Sequence, residues 1–224
     1  MEQPIHIFCI VGEVKCGKRM YIEEVLKNHI FVKRMNLAKL IYGTTRKIRS
    51  YEEDSDEFHF VSNEDYENLD KESLIEFRSY YTLTEGIVYY FTKKEYINIG
   101  KNLICVTSPY QYEMYKYWIS RENIKNPGKY QLHMIYIVSD LKSRFYHAMN
   151  KITKKDELYE LCRRVLQDKS EFENLSKRLP ELIDPMMHNV CYIHHDHDSA
   201  ESINNNIDKI KKYIEISIKG KIDR

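Results

Sequence analysis

The sequence predicts an α/β fold: a central parallel sheet between helical layers, a small mixed antiparallel insertion and a helical lid. Three observations carry that expectation. Short apolar, β-branched runs recur at residues 5–11, 103–107, 132–138 and 189–193, each bounded by turn or polar residues, as in strands buried on both faces. Helix-like segments alternate with them. A loop spaced by two glycines and closed by a lysine follows the first run and opens the first helix.

The elements follow in order. After the first strand, residues 17–29 read as a helix; later helices are expected at 109–118, 141–152, 156–179 and 199–218. Strands alternating with helices imply right-handed crossovers in one sheet. Residues 42–98 break this rhythm. "DEFHFVSNEDYENL" gives an alternating strand and then a helix start, with Ser62 as N-cap and Asp65 three residues on. "LIEFRSYYTL" and "IVYYFTKKEY" are two further strand-like runs, so this stretch reads as a mostly antiparallel insertion. The charged helical excursion at 151–170 has two readings, a solvated helix pair or a mobile lid. The expected division is therefore core at 1–41, 99–150 and 171–224, insertion at 42–98 and lid at 151–170.

Composition narrows the function classes. With 35 basic and 34 acidic residues in 224, the net charge is +1, and no basic block suggests a nucleic-acid arm or a polybasic membrane patch. Any anion site must be local. Five scattered cysteines without a CxxC pair favour a reducing, cytoplasmic setting. No apolar run approaches the roughly 20 residues that span a bilayer. No nucleic acid or membrane is expected as a partner, and the oligomeric state is left as monomer or homodimer.

The loop is the most specific motif. Gly12, Glu13, Val14, Lys15, Cys16, Gly17 and Lys18 fit G-x-x-x-x-G-K. Its backbone N–H groups and the following helix N-terminus would converge on phosphate oxygens, with Lys18 as a point charge on the terminal phosphates. Arg19 then stands where a Ser or Thr hydroxyl would ligate Mg2+. A guanidinium has no acceptor atom, so any Mg2+ is expected to be held by phosphate oxygens, water and a carboxylate, with no metal ligand assigned to the protein. Cys16 would be redox-sensitive if the helix N-terminus lowered its pKa.

Arg46 and Arg49 in "TTRKIRSYEE" are three apart, with Glu52 three further on. Two guanidiniums so close suit a phosphate clamp. The loop, this arginine pair, "FHFVSNEDYENL", "LIEF", "YYFT" and "CRRVLQDKSEF" occur in the order found in guanylate kinases, and the resemblance covers nearly the whole chain. It implies a three-layer P-loop NTPase fold, with the insertion as a GMP-binding (NMP-binding) domain and the excursion as an ATP lid. It further implies transfer of the γ-phosphoryl group of ATP to GMP with Mg2+. The loop residues through Arg19 would bind ATP together with Arg163 and Arg164. Arg46, Arg49 and Tyr90 would grip the acceptor phosphate, with Tyr89 an equally close candidate for the last, and Glu52, matching the acidic residue that follows the arginines, would also belong to the GMP site. Glu76 and Thr92 would read the guanine, and Lys18, Arg46 and Arg164 would be catalytic.

Departures from the family pattern accompany the likeness. Ile48 replaces a proline, Phe58 a tyrosine, Tyr42 a small serine, Phe91 a glycine, and Thr107 an aspartate. Two alternatives to a guanylate kinase therefore stay open: a catalytically weak binding module of the same fold, and a nucleotide kinase with a different acceptor. "HHDHD" at 194–198 invites a metal reading, but adjacent residues of one loop rarely converge. Asp198 or Ser199 capping the last helix is the better account. The tyrosines of "SPYQYEMYKYW" read as one half-buried helix face rather than a base-stacking platform.

Overall fold

The computed structural model describes residues 3–49, 57–82, 85–182, 190–195 and 199–220. Strand β1 (Ile5–Gly12) lies at the centre of a five-stranded parallel sheet. Its neighbours are β7 (Asn102–Thr107) and β8 (Tyr130–Val138), with β2 (Leu37–Lys39) and β9 (Val190–His194) at the edges. Residues 7–11 have no exposed surface, which explains why this strand reads as a continuous apolar run rather than an alternating one. Ile7, Cys9 and Val11 pack toward Tyr112, Tyr115 and Trp118 of α5 (Pro109–Lys125). Phe8 and Ile10 pack toward α1 (Lys18–Lys27) and α8 (Ala200–Lys219). Each face of the sheet thus buries a helical layer, giving the three-layer P-loop kinase-like α/β fold.

The insertion forms a second, mixed sheet in the order β4-β3-β6-β5. Strands β3 (Tyr42–Thr44) and β4 (Phe58–Phe60) run parallel; β3 pairs antiparallel with β6 (Gly86–Lys93), and β6 with β5 (Leu74–Thr82). The expected capping box is present at α3 (Asn63–Glu67), where Ser62 accepts from the Asp65 N–H and Asp65 reaches back. One pair in this sheet is matched in size. Phe91 lies opposite Gly43, and a Cβ on Gly43 would meet the Phe91 ring at 2.1 Å, so the glycine makes room for the aromatic ring. Tyr42 turns into the core and donates to the Val106 carbonyl at 2.7 Å.

Edge strand β2 and the short helix α2 (His29–Arg34) were not anticipated, because three residues of "LAK" are too short for any period to show. The excursion at 151–170 follows α6 (Leu141–Met149) and forms the first part of one helix, α7 (Lys155–Leu182), which runs unbroken through residue 170, the expected end of the lid. Ser199 does cap α8; Asp198 lies outside the described residues. Among the described residues, no helix is long and apolar enough to cross a membrane.

Candidate nucleotide site

The loop between β1 and α1 has the backbone that its sequence spacing requires. Gly17 takes φ +85° as the residue before α1, and a Cβ there would come within 3.0 Å of His195 Nε2. A Cβ on Gly12 would meet Cys16 Sγ at 2.6 Å and the Ile137 carbonyl at 2.9 Å. Both glycines are therefore demanded by close approach, one of them also by its dihedral. Lys18 folds back over the loop: its ammonium donates to the carbonyls of Gly12 and, at 2.7 Å, Glu13.

Three side chains from distant segments hold this loop; of these the sequence marked only His195, within "HHDHD" and for a different role. Arg144 of α6, buried, donates to the Val14 carbonyl at 3.0 Å and to the Glu13 carboxylate at 2.7 Å. Asp168 of α7 accepts the Val14 N–H, and its burial pushes the carboxyl pKa up. His195, after β9, sits over Gly17 and is hydrogen-bonded with the Tyr21 hydroxyl at 2.8 Å. Arg144 left one legible signal, since it shares the buried side of α6 with Ala148 four residues on, an unusual place for an unpaired charge.

Two expectations about the loop change. Cys16 is buried, and desolvation raises its thiol pKa despite Lys18 and Arg144 nearby, which removes the basis for a redox-sensitive thiolate. Arg19 is bound to carboxylates rather than directed at phosphate: its Nε lies 2.9 Å from Glu23 and 3.0 Å from Glu57, and Glu57 also meets Lys39 at 3.4 Å. The neighbouring carboxylates are thereby engaged, Glu57 by two cations, Glu13 by Arg144 and Asp168 by a backbone N–H. Among the described residues no group of three His, Cys, Asp or Glu could hold a metal ion. A Mg2+ held mainly by phosphate oxygens and water needs only one or two carboxylates, and Asp168, which lines the cleft beside the loop, would be placed to supply one.

A cleft of about 610 Å3 runs from the loop to the insertion and the lid. Gly12, Val14, Lys18 and Arg19 line its donor end, and Arg163 and Arg164 of α7 its roof. Arg46, Arg49 and Tyr90 line the wall formed by the insertion. Lys15 borders Arg164 without lining the cleft, and burial together with that like charge lowers its pKa. Arg46 is almost fully buried, with its guanidinium over the rings of Phe58 and Phe60 at 5.2 and 5.3 Å. Phe58, in place of a hydroxyl-bearing tyrosine, thus supports the arginine by cation–π contact. Strand alternation separates the two tyrosines: Tyr90 faces the cleft, whereas Tyr89 stacks on Tyr66 at 4.3 Å on the other face.

The lid arginines carry their own counter-ion. Arg163 grips the Glu160 carboxylate through two donors at 2.8 Å, and Arg164 Nε reaches the same carboxylate at 2.8 Å. These bonds, led by the one from Arg163, depress the Glu160 pKa to about 2.

Glu76 and Thr92 come together but stand behind the cleft wall. Glu76 Oε1 accepts from the Thr92 hydroxyl at 2.7 Å and from Gln111 Nε2 at 3.1 Å, and Oε2 lies 3.2 Å from Arg78 Nε. The Glu76 side chain has no exposed surface. Glu52 lies outside the described residues. Of the metal motif, His194 and His195 are described and residues 196–198 are not.

The fold is similar to that of a guanylate kinase from Anaplasma phagocytophilum, with a TM-score of 0.56 at 13% sequence identity over 98% of this chain and 89% of that one. A fungal RNA kinase aligns over 98% of this chain and 99% of its own, at 11% identity and a TM-score of 0.33. No protein-family model and no curated protein matches the sequence. At such identities the likeness is one of fold alone: a P-loop kinase-like chain with a nucleotide-kinase-like architecture.

Proposed function

We propose that this P-loop kinase-like chain is a nucleoside monophosphate kinase that transfers the γ-phosphoryl group of ATP to GMP, yielding ADP and GDP. The observation that carries the reading is a single cleft lined by Lys18 at one end, Arg46 and Arg49 on one wall and Arg163 and Arg164 above. Such an arrangement suits two phosphate-bearing ligands facing each other. In the transfer, the bond from the γ-phosphorus to its bridging oxygen breaks as an acceptor phosphate oxygen bonds to that phosphorus. The protein need contribute only alignment and positive charge.

Lys18 would exchange its loop carbonyls for phosphate oxygens, and Val14 N–H would exchange Asp168 for the same. The arginines would exchange Glu160 for developing phosphate charge. A coupled assay with ATP, Mg2+ and GMP, dGMP, AMP and dTMP in turn tests the reading. Turnover with GMP, abolished in Lys18→Ala, is expected. No turnover with any acceptor above that control would overturn the kinase reading.

A second reading has its own support. Arg19, tied to Glu23 and Glu57 where a hydroxyl would ligate Mg2+, favours a module that binds nucleotide without transferring phosphate. GMP binding by calorimetry alongside a silent kinase assay would select it.

A further inference from the structure

The β5–β6 ladder aligns Glu76, Arg78 and Tyr80 on one face, opposite Thr92, Tyr90 and Val88 respectively. At the inner end, Glu76 offers a ligand no accessible oxygen: its side chain has no exposed surface, Thr92 and Gln111 bond Oε1, and Oε2 makes only the ion-pair contact with Arg78. The next residue outward on that face does reach the cleft. Arg78 lines it, with 17% of its side chain exposed. Its Nε side is turned to Glu76, and Nη1 lies 3.3 Å from the Tyr80 hydroxyl. Tyr80 in turn sits between two guanidiniums, that of Arg78 at 5.8 Å and that of Arg163 at 5.9 Å from its ring centre.

These contacts leave the outer N–H groups of Arg78 facing the cleft. A guanidinium has only N–H donors and cannot be deprotonated, so Arg78 itself accepts nothing from a ligand. Its planar fork matches two adjacent acceptors. Guanine N7 and O6 present such a pair, whereas the same edge of adenine sets an amine beside N7.

We infer that Arg78 is the specificity-determining residue of the acceptor site, reading the N7/O6 edge of a guanine nucleotide, with Glu76 as a positioning residue that holds the guanidinium. The inference rests on the cleft being an acceptor nucleotide site, as proposed above. It assigns base recognition to a cation and a different edge of the base, where a glutamate reader would contact N1–H and the exocyclic amine.

Analogues separate the two edges. Calorimetry on the full chain would compare GMP, its 7-deaza analogue, which lacks N7, and inosine 5′-monophosphate, which lacks only the exocyclic amine. The expected result is 7-deaza-GMP binding at least about tenfold more weakly than GMP, with the inosine nucleotide within about threefold. In Arg78→Met, which removes every donor from the side chain, the difference between GMP and 7-deaza-GMP should vanish while ATP affinity holds. Should that variant fail to fold, the analogue series on the unaltered chain still decides. Equal binding of GMP and 7-deaza-GMP would overturn the Arg78 assignment and leave the nucleotide reading standing. Absence of binding by every monophosphate would overturn both.

Discussion

Asp168 on α7 accepts a hydrogen bond from the Val14 N–H of the phosphate loop, across 154 positions of sequence. A carboxylate thereby occupies one of the donors a phosphate oxygen would use, while Lys18 is turned onto the loop's own carbonyls. Helix α7 and the loop are latched to each other.

Breaking the latch should favour the nucleotide. A hydrogen bond to a charged group is worth about 1.5–3 kcal/mol, so Asp168→Ala should tighten ATP binding by roughly tenfold. Calorimetry of ATP against both proteins checks this. The raised pKa adds a pH signature: as the pH falls through it, the carboxyl protonates and the latch loosens, so acid should tighten ATP binding in the parent chain and not in the variant.

Glu160 provides the contrast. Depressed to about 2, it stays ionised throughout the neutral range, so its grip on Arg163 and Arg164 should not change between pH 5 and 8. Its contribution to folding is present above the usual carboxylate pKa and is lost only as the pH falls from about 4.5 toward 2. Glu160→Gln removes the competing charge and should strengthen ATP binding severalfold at every pH in that range. Weaker binding would mean that the carboxylate orients the arginines for the nucleotide.

A buried histidine pair sets the acid stability. His6 Nδ1 and His133 Nε2 are 2.9 Å apart, and His133 stacks on Phe8 at 4.6 Å. Burial lowers His6 from 6.5 to about 4, and burial with the neighbouring His6 charge lowers His133 to about 3. Both are neutral when folded, while the unfolded chain takes up protons below about 6.5. Folding stability should therefore be unaffected by this pair above that pH and fall as the pH drops toward 4. The expected slope is at most about 1.4 kcal/mol per unit for each histidine. Urea unfolding at pH 7, 6 and 5 measures it, and His133→Phe should flatten it.

The Gly43–Phe91 contact should behave as a pair. Gly43→Ala places a methyl group against the Phe91 ring and should cost about 1–3 kcal/mol in urea unfolding. Adding Phe91→Leu should recover part of that loss, which two independent sites would not do.

The sequence by itself determined the strand-loop-helix of the phosphate loop, the two-sided burial of β1 and the Ser62 cap, because each depends on residues within one short segment. It also marked the cations that line the cleft: Lys18, Arg46, Arg49, Arg163 and Arg164 keep their charge wherever the chain places them. Only the tertiary structure decided which partners meet those groups. That Asp168 reaches Val14, that Arg144 braces Glu13, that Glu57 engages Arg19, and that Glu76 is enclosed while Arg78 faces the cleft are all consequences of segments far apart in the chain. Side-chain identity fixes what hydrogen bonds and charge a group can offer. Packing fixes whether that capacity is spent on the protein or left for a ligand, and that distinction separates Glu76 from Arg78.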